Sequence, residues 1–221
     1  MSQLIDLTHD LANGMPVWPG HPIFEQRSVA SFAAGDIACN HSLHLSEHCG
    51  THFDAPLHFV PGGQAIDAVP LQRFFCRLAV IAASDAAPDS EIGTDRLLAW
   101  ESRNGALRPG DAVMFHFGWD RFWAHPDAGA RFLSDWPGLS GAVAELLVAR
   151  GVSLVGGDCM SIDRHGSSDF PAHRVLLGAG VLVGENFASL GRLPSVAELI
   201  ALPLRIAGGS GAPLRAVARV N

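Results

Sequence analysis

Five of the chain's 11 histidines fall between positions 41 and 58: His41, His44, His48, His52 and His58. Asp54 sits among the last three, in the run HCGTHFDAPLHF (48–59). Imidazole nitrogens and a carboxylate at this density are the donors of a divalent-cation site, and a spare imidazole moves protons near neutral pH. Spacing decides which of them can act together. Two donors share an ion only when each comes within about 2 Å of it. On a straight strand His48 and His52 would stand about 13 Å apart, at roughly 3.3 Å per residue. The backbone must therefore turn between them, and Gly50, at the midpoint, is free to adopt the dihedrals that a turn demands. His52 and Asp54 are two apart and share one face of an extended segment. Pro56 holds Ala55 extended and keeps a helix out of the segment. The spacing H-x-G-x-H-x-D thus reads as a bent strand that aims two imidazoles and a carboxylate at one point. His58, beyond Pro56, is either a fourth ligand or a free imidazole beside the ion, fitted for proton transfer. His41 and His44 read as solvated positions on an edge strand. Nitrogen and oxygen donors without thiolate suit Zn or Mn better than Ca or Mg.

The elements that must carry these groups follow from periodicity and punctuation. LIDLT (4–8) and NHSLHLSEH (40–48) alternate as strands do, and RLAVIAA (77–83) reads as a buried strand. GMPVWPGHP (14–22), with three prolines, is a loop, and Trp18 stands in its middle. Thr94 is the expected N-cap of a helix through DRLLAWES, and a turn at Arg108–Asp111 leads into the strand AVMFHF. SGAVAELLVARG (140–151) has the apolar spacing of a helix and a glycine to end it. The strand VSLVGG comes next, then one or two helical turns in HRVLLGAG, then the strand VLVGEN. RIAGG and RAVARV read as closing strands. Strands outnumber helices and alternate with them irregularly, so the expected fold class is mixed α/β or α+β, in a single domain spanning 1–221. No GxGxxG motif supports a dinucleotide-binding reading.

The formal charge of −7 argues against nucleic acid and anionic membranes, both of which call for clustered Lys and Arg. The first ten residues carry Asp6 and Asp10 where a signal peptide would be basic and then apolar, and no apolar run reaches the roughly 20 residues of a membrane span. A cytoplasmic location is expected. Cys39, Cys49, Cys76 and Cys159 form no CxxC pair and read as structural thiols, with Cys49 singled out only by its place inside the histidine run.

The run HCGTHFDAPLH (48–58) matches the HxGTHxDxPxH signature of the cyclase-like metal-dependent hydrolases, the family of bacterial kynurenine formamidase and isatin hydrolase. Other parts of the chain resemble the same family: MPVWPG (15–20), Gly157-Asp158 with Ser161-Ile162-Asp163, and Ala172-His173 followed by Glu185-Asn186. The resemblance implies a swivelling β/β/α fold, and a homodimer or homotetramer. It also implies that His48, His52 and Asp54 hold one divalent metal, with His173 and Glu185 completing a second site and Asp54 and Glu185 able to bridge. His58 would be the proton donor and acceptor, Trp18 a substrate contact, and Gly157–Asp163 a loop bordering the site. Ser167-Ser168 and Glu185-Asn186 stand where the family's kynurenine formamidases tend to have Ser-Lys and Glu-Gly. The implied substrate is therefore a small aromatic amide, linear like N-formylkynurenine or cyclic like isatin.

The implied chemistry is attack of a metal-bound hydroxide on a C–N carbonyl, with His58 passing a proton to the departing nitrogen. Trp18, with Phe53 or Phe59, would stack on the aryl ring. Such a hydroxide needs no protein nucleophile. The competing readings are a non-enzymatic metal-binding or metal-sensing protein, and a metal-free histidine-rich fold. The acidic chain lacks the basic recognition helix that a sensor usually carries.

Overall fold

The computed structural model describes residues 2–123 and 129–220. Strand β1 (Gln3–Asp6) is followed by β2 (Glu25–Ala30) and β3 (Asn40–His44), which pair with each other as an antiparallel arm, and then by β4 (His52–Asp54). Next come β5 (Phe75–Ala82), β6 (Glu91–Ile92), α1 (Thr94–Asn104), β7 (Ala112–His116), α2 (Gly129–Phe132), β8 (Gly138–Leu139) and α3 (Gly141–Ala149). The chain continues with β9 (Leu154–Gly157), α4 (Pro171–Gly178), β10 (Leu182–Glu185), β11 (Val196–Pro203) and β12 (Gly211–Val220). The class is mixed α+β, as the sequence indicates.

The main sheet runs β1-β12-β11-β5-β7-β9-β10-β4, and β12 also pairs with β4, so the sheet closes into a barrel. β5, β7, β9 and β10 are parallel to one another, linked by crossovers that include α1, α3 and α4, whereas β11, β12 and β4 run antiparallel to their neighbours. Strand alternation divides the core in two. Leu78, Val80, Ala112, Met114, Leu154 and Leu182 point into the barrel with Phe53, Phe74 and Phe187. Their neighbours Ala79, Ile81, Val113, Phe115, Val155 and Val183 point outward, against Leu97 and Trp100 of α1, Val143 and Leu147 of α3 and Leu176 of α4.

Several expectations from sequence need correcting. β3 ends at His44 instead of continuing to His48, and residues 45–48 bend toward the barrel. Gly93, not Thr94, is the N-cap of α1, and Thr94 is its first helical residue. RIAGG (205–209) is no strand but the turn between β11 and β12, with Gly208 at φ +67°. The strand before that turn is β11, whose run VAELIALP has no strand signature of its own and owes its conformation to pairing with β5 and β12. Ser140 caps α3 by accepting from Val143 N, and Gly151, at φ +72°, follows its last turn.

Candidate functional site

At Gly50 the chain takes φ +60°, a left-handed turn between His48 and His52. β4 begins at His52, and its alternation sends His52 and Asp54 to the site while Phe53 goes into the barrel core against Phe74 and Phe187. Phe53 is therefore fully buried away from the site and cannot stack on a substrate, which leaves Phe59 for that place. β10 pairs with β4 in a register that sets Glu185 directly opposite His52, so cross-strand geometry brings carboxylate and imidazole together. Asp163 holds the start of α4: one carboxylate oxygen accepts from Ala172 N (2.8 Å), the other from His173 N (3.2 Å) and from the His173 ring at Nδ1 (2.6 Å). Helix and side chain are thus fixed by one buried anion at a helix N-terminus. The role of Asp163 was not legible from its place in the sequence. The family resemblance placed Asp163 only in a loop bordering the site; its position ahead of a proline-initiated helix was the one signal of this anchoring role.

The five donors converge. His52 Nε2 lies 3.4 Å from Asp54 Oδ1 and 3.5 Å from Glu185 Oε2. His173 Nε2 lies 3.3 Å from Asp54 Oδ2 and 3.1 Å from Glu185 Oε1. His48 Nδ1 is 2.7 Å from Asp54 Oδ1. Two donors at about 2.1 Å from one ion, at angles of roughly 90–110°, stand about 3.0–3.4 Å apart, close to the first four separations. Asp54 Oδ2 is buried without a hydrogen-bond partner, which would cost free energy unless a cation lies among these groups. Each carboxylate spans the gap between His52 and His173, one oxygen toward each. Donor set, spacing and the orphaned oxygen all fit a divalent cation, with room for a bridged pair.

The electrostatics agree. Burial opposes charge on both His52 and His173, but Asp54 and Glu185 reverse the balance at His52, and Asp163, followed by Asp54 and Glu185, reverses it at His173. His52 is pushed up to about 9 and His173 well above its ordinary value. Burial would raise the Asp54 carboxyl, yet the imidazoles of His173, His48 and His52 set against it hold it well below the carboxylate range. The cluster is built around concentrated negative charge that needs positive charge to balance it. His58 is different: burial pushes it down to about 4, and its ring stacks on His48 and makes no hydrogen bond to the described residues. Cys49 is buried and its thiol is pushed up to about 11, so it is no nucleophile at neutral pH.

The donors open into a cleft of about 250 Å³. Trp18, Phe59, Met160 and Phe170 form its apolar wall, and His58, Ser161 and His21 its polar margin. Trp18 stands edge-on to Trp136 (5.9 Å between centroids), which anchors it from behind. Phe170 has a left-handed backbone, φ +48°, just before α4. Within the 157–163 loop only the later part borders the cleft. Asp158 is buried and accepts from Phe117 N, Gly118 N and Trp119 N, clamping the loop after β7. His41 and His44 are exposed on the arm, away from the cluster.

A family model described as "Putative cyclase" matches residues 5–164. This chain belongs to the cyclase family. A kynurenine formamidase of Salinibacter ruber is 35% identical over 220 residues, spanning 98% of this chain and 97% of its own. An isatin hydrolase of Roseibium aggregatum is 32% identical over 234 residues, spanning 98% of this chain and 86% of its own. Among solved structures, an isatin hydrolase bound to the product analogue thioisatinate superposes with a TM-score of 0.92 at 28% identity, covering 99% of this chain and 92% of that one. The swivelling β/β/α fold inferred from the histidine motif is that of these cyclase-family structures. With them, this family member is an enzyme, a hydrolase of the amide-cleaving type.

Proposed function

We propose that the protein is a divalent-metal-dependent hydrolase of a C–N amide bond in a small aromatic substrate, either a linear formamide such as N-formylkynurenine or a cyclic amide such as isatin. The observation that carries this reading is Asp54 Oδ2, buried, unpartnered and 3.3 Å from His173 Nε2, in a cluster opening on an aromatic cleft. His48, His52, Asp54, His173 and Glu185 would hold one or two ions, Zn or Mn. When bound, such an ion supplies Lewis acidity, polarising a carbonyl and making water a nucleophile near neutral pH. Trp18 and Phe59 line the cleft and hold the aryl ring by stacking, which fixes the amide over the donors. His58, neutral at pH 7, takes the proton released as water attacks and returns it to the departing nitrogen. The apolar wall keeps bulk water from the reacting carbonyl.

A non-enzymatic metal-binding role leaves the aromatic cleft without a purpose, since a storage or sensing site needs no substrate-sized space. The exposed apolar side chains of the arm, Val29, Phe32, Ile37 and Leu43, support a homodimer or homotetramer, which light scattering on the purified protein would reveal. The deciding experiment is elemental analysis followed by parallel assays with N-formylkynurenine and isatin. Turnover that is abolished by chelator and restored by Zn or Mn is expected for at least one of them. A metal-loaded protein that hydrolyses neither would end the aromatic-amide reading.

A further inference from the structure

His48 differs from the other two clustered imidazoles. His52 and His173 each turn Nε2 to the cluster and occupy Nδ1 elsewhere, His52 at Gly50 O (2.9 Å) and His173 at Asp163. His48 turns Nδ1 inward, toward Asp54, and its Nε2 lies 2.8 Å from Ser210 Oγ. That hydroxyl has a single proton, and Glu47 takes it: Ser210 Oγ donates to Glu47 Oε1 while Ser210 N donates to Glu47 Oε2 (3.1 Å). With its proton so committed, Ser210 Oγ can only accept from His48, so Nε2 bears a hydrogen; Nδ1 faces Asp54 Oδ1 alone, and an ion in the cluster would take the place of the one proton between them.

The loop that carries Ser210 is shaped for this arrangement. A Cβ on Gly211 would lie 2.5 Å from His48 Cε1 and 2.6 Å from Phe53 O, and a Cβ on Gly209 would lie 2.9 Å from Glu47 Oε2. Glycines on both sides of Ser210 thus leave the space that the imidazole and the carboxylate fill. The same loop enters β12 at Gly211, whose register partner on β4 is Asp54. The serine is therefore tied through the barrel wall to the carboxylate that His48 faces.

We propose that Glu47 and Ser210 are positioning residues that lock His48 into the tautomer binding metal through Nδ1, in a centre where His52 and His173 bind through Nε2. This rests on the reading of the cluster as a metal centre. Their action runs outward from the ring: Glu47 orients the Ser210 hydroxyl, the hydroxyl holds Nε2–H, and the ring is left with one nitrogen to give. Outer partners of this kind commonly change metal affinity about 10- to 100-fold when removed.

The test uses the full chain loaded with zinc. Nitrogen-15 imidazole spectra should place His48 Nδ1 in the metal-bound range with Nε2 protonated, and His52 the other way round. Chelator competition should give a zinc Kd weakened about 10- to 100-fold by Ser210→Ala and by Glu47→Ala, and restored to within about threefold of the parent by Ser210→Thr. Zinc bound through His48 Nε2 in the parent, or Kd values within about twofold of the parent for both alanine variants, would overturn the proposal. So would an equal loss in Ser210→Thr, because loop packing and not the hydroxyl would then hold the ring. A parent protein that takes up neither zinc nor manganese would instead sink the metal-centre reading itself.

Discussion

The ring of His58 lies on the ring of His48, centroids 3.9 Å apart and planes inclined by 28°. The short 3-10 turn Pro56–His58 makes this contact possible by bringing the chain back over the cluster after the extended Ala55. Stacking leaves both His58 nitrogens free for substrate and water. His58→Ala should therefore retain the metal content of the parent while kcat falls roughly 100- to 10,000-fold. Elemental analysis and steady-state kinetics on one preparation check both halves. A variant with parental kcat would clear His58 of proton transfer.

Gly50 has a second duty besides turning the chain. Its carbonyl accepts from His52 Nδ1 and from Asn186 Nδ2 (2.9 Å each), so the turn also orients a clustered imidazole. An alanine there would hold a left-handed backbone at about 1–2 kcal/mol, and its Cβ would come 2.4 Å from Leu11 Cδ2, a side-chain end that can swing aside. Gly50→Ala should lose about that much stability in urea unfolding, and its zinc affinity should fall with it. Undiminished stability would show that the turn tolerates a side chain.

Trp18 reaches the cleft from a proline-braced loop and makes none of the cluster's contacts, so it should affect binding more than chemistry. Trp18→Ala removes a stacking surface worth about 0.5–1.5 kcal/mol beyond its buried area. KM for the aromatic amide should rise roughly 3- to 30-fold while kcat stays within about threefold. A fall in kcat with KM unchanged would place Trp18 in the reaction step.

Most of the site was legible in the chain because its logic is local. A glycine between two histidines, an extended dipeptide and a proline stop each act over a few residues, and His48, His52, Asp54 and His58 converge accordingly. His173 and Glu185 came only through the family motif, since the β4–β10 register that sets Glu185 against His52 is a long-range pairing that spacing does not encode. Glu47 and Ser210 were invisible as site residues, and Asp163 was known only as part of a bordering loop, for the same reason: Asp163 and Ser210 act through hydrogen bonds to ligand candidates on other stretches, and Glu47 acts through Ser210. The fold divides along the same line. Helices α1 and α3 announce themselves by spacing, whereas β11 and the barrel closure depend on partners far away in sequence.

His9 gives the protein an acid-sensitive point outside the cluster. Its ring stacks on Trp123, centroids 4.3 Å apart, and burial pushes it from 6.5 down to about 4. Above pH 6.5 folded and unfolded chains both hold it neutral, and its effect on stability is nil. As pH falls from 6.5 to 4 the unfolded chain takes the proton first, so stability drops across that window. His9→Phe keeps the stack and removes the proton site, and should spare roughly 1–2 kcal/mol of that loss after allowance for the partly exposed ring. Urea melts at pH 7.5 and pH 4.5, on parent and variant in the same metal state, measure the difference. Equal acid losses in the two would show that His9 titrates freely.

β12 closes the barrel by pairing with β4, and β4's other neighbour, β10, is also far downstream. During translation the stretch bearing His48, His52 and Asp54 therefore leaves the ribosome well before β10 and β12, the strands that flank β4. The gathering of those donors with His173 and Glu185 thus waits on strand pairing that comes later in the chain. A nascent chain that stalls before β10 carries every early donor but neither of the strands that hold β4 in place.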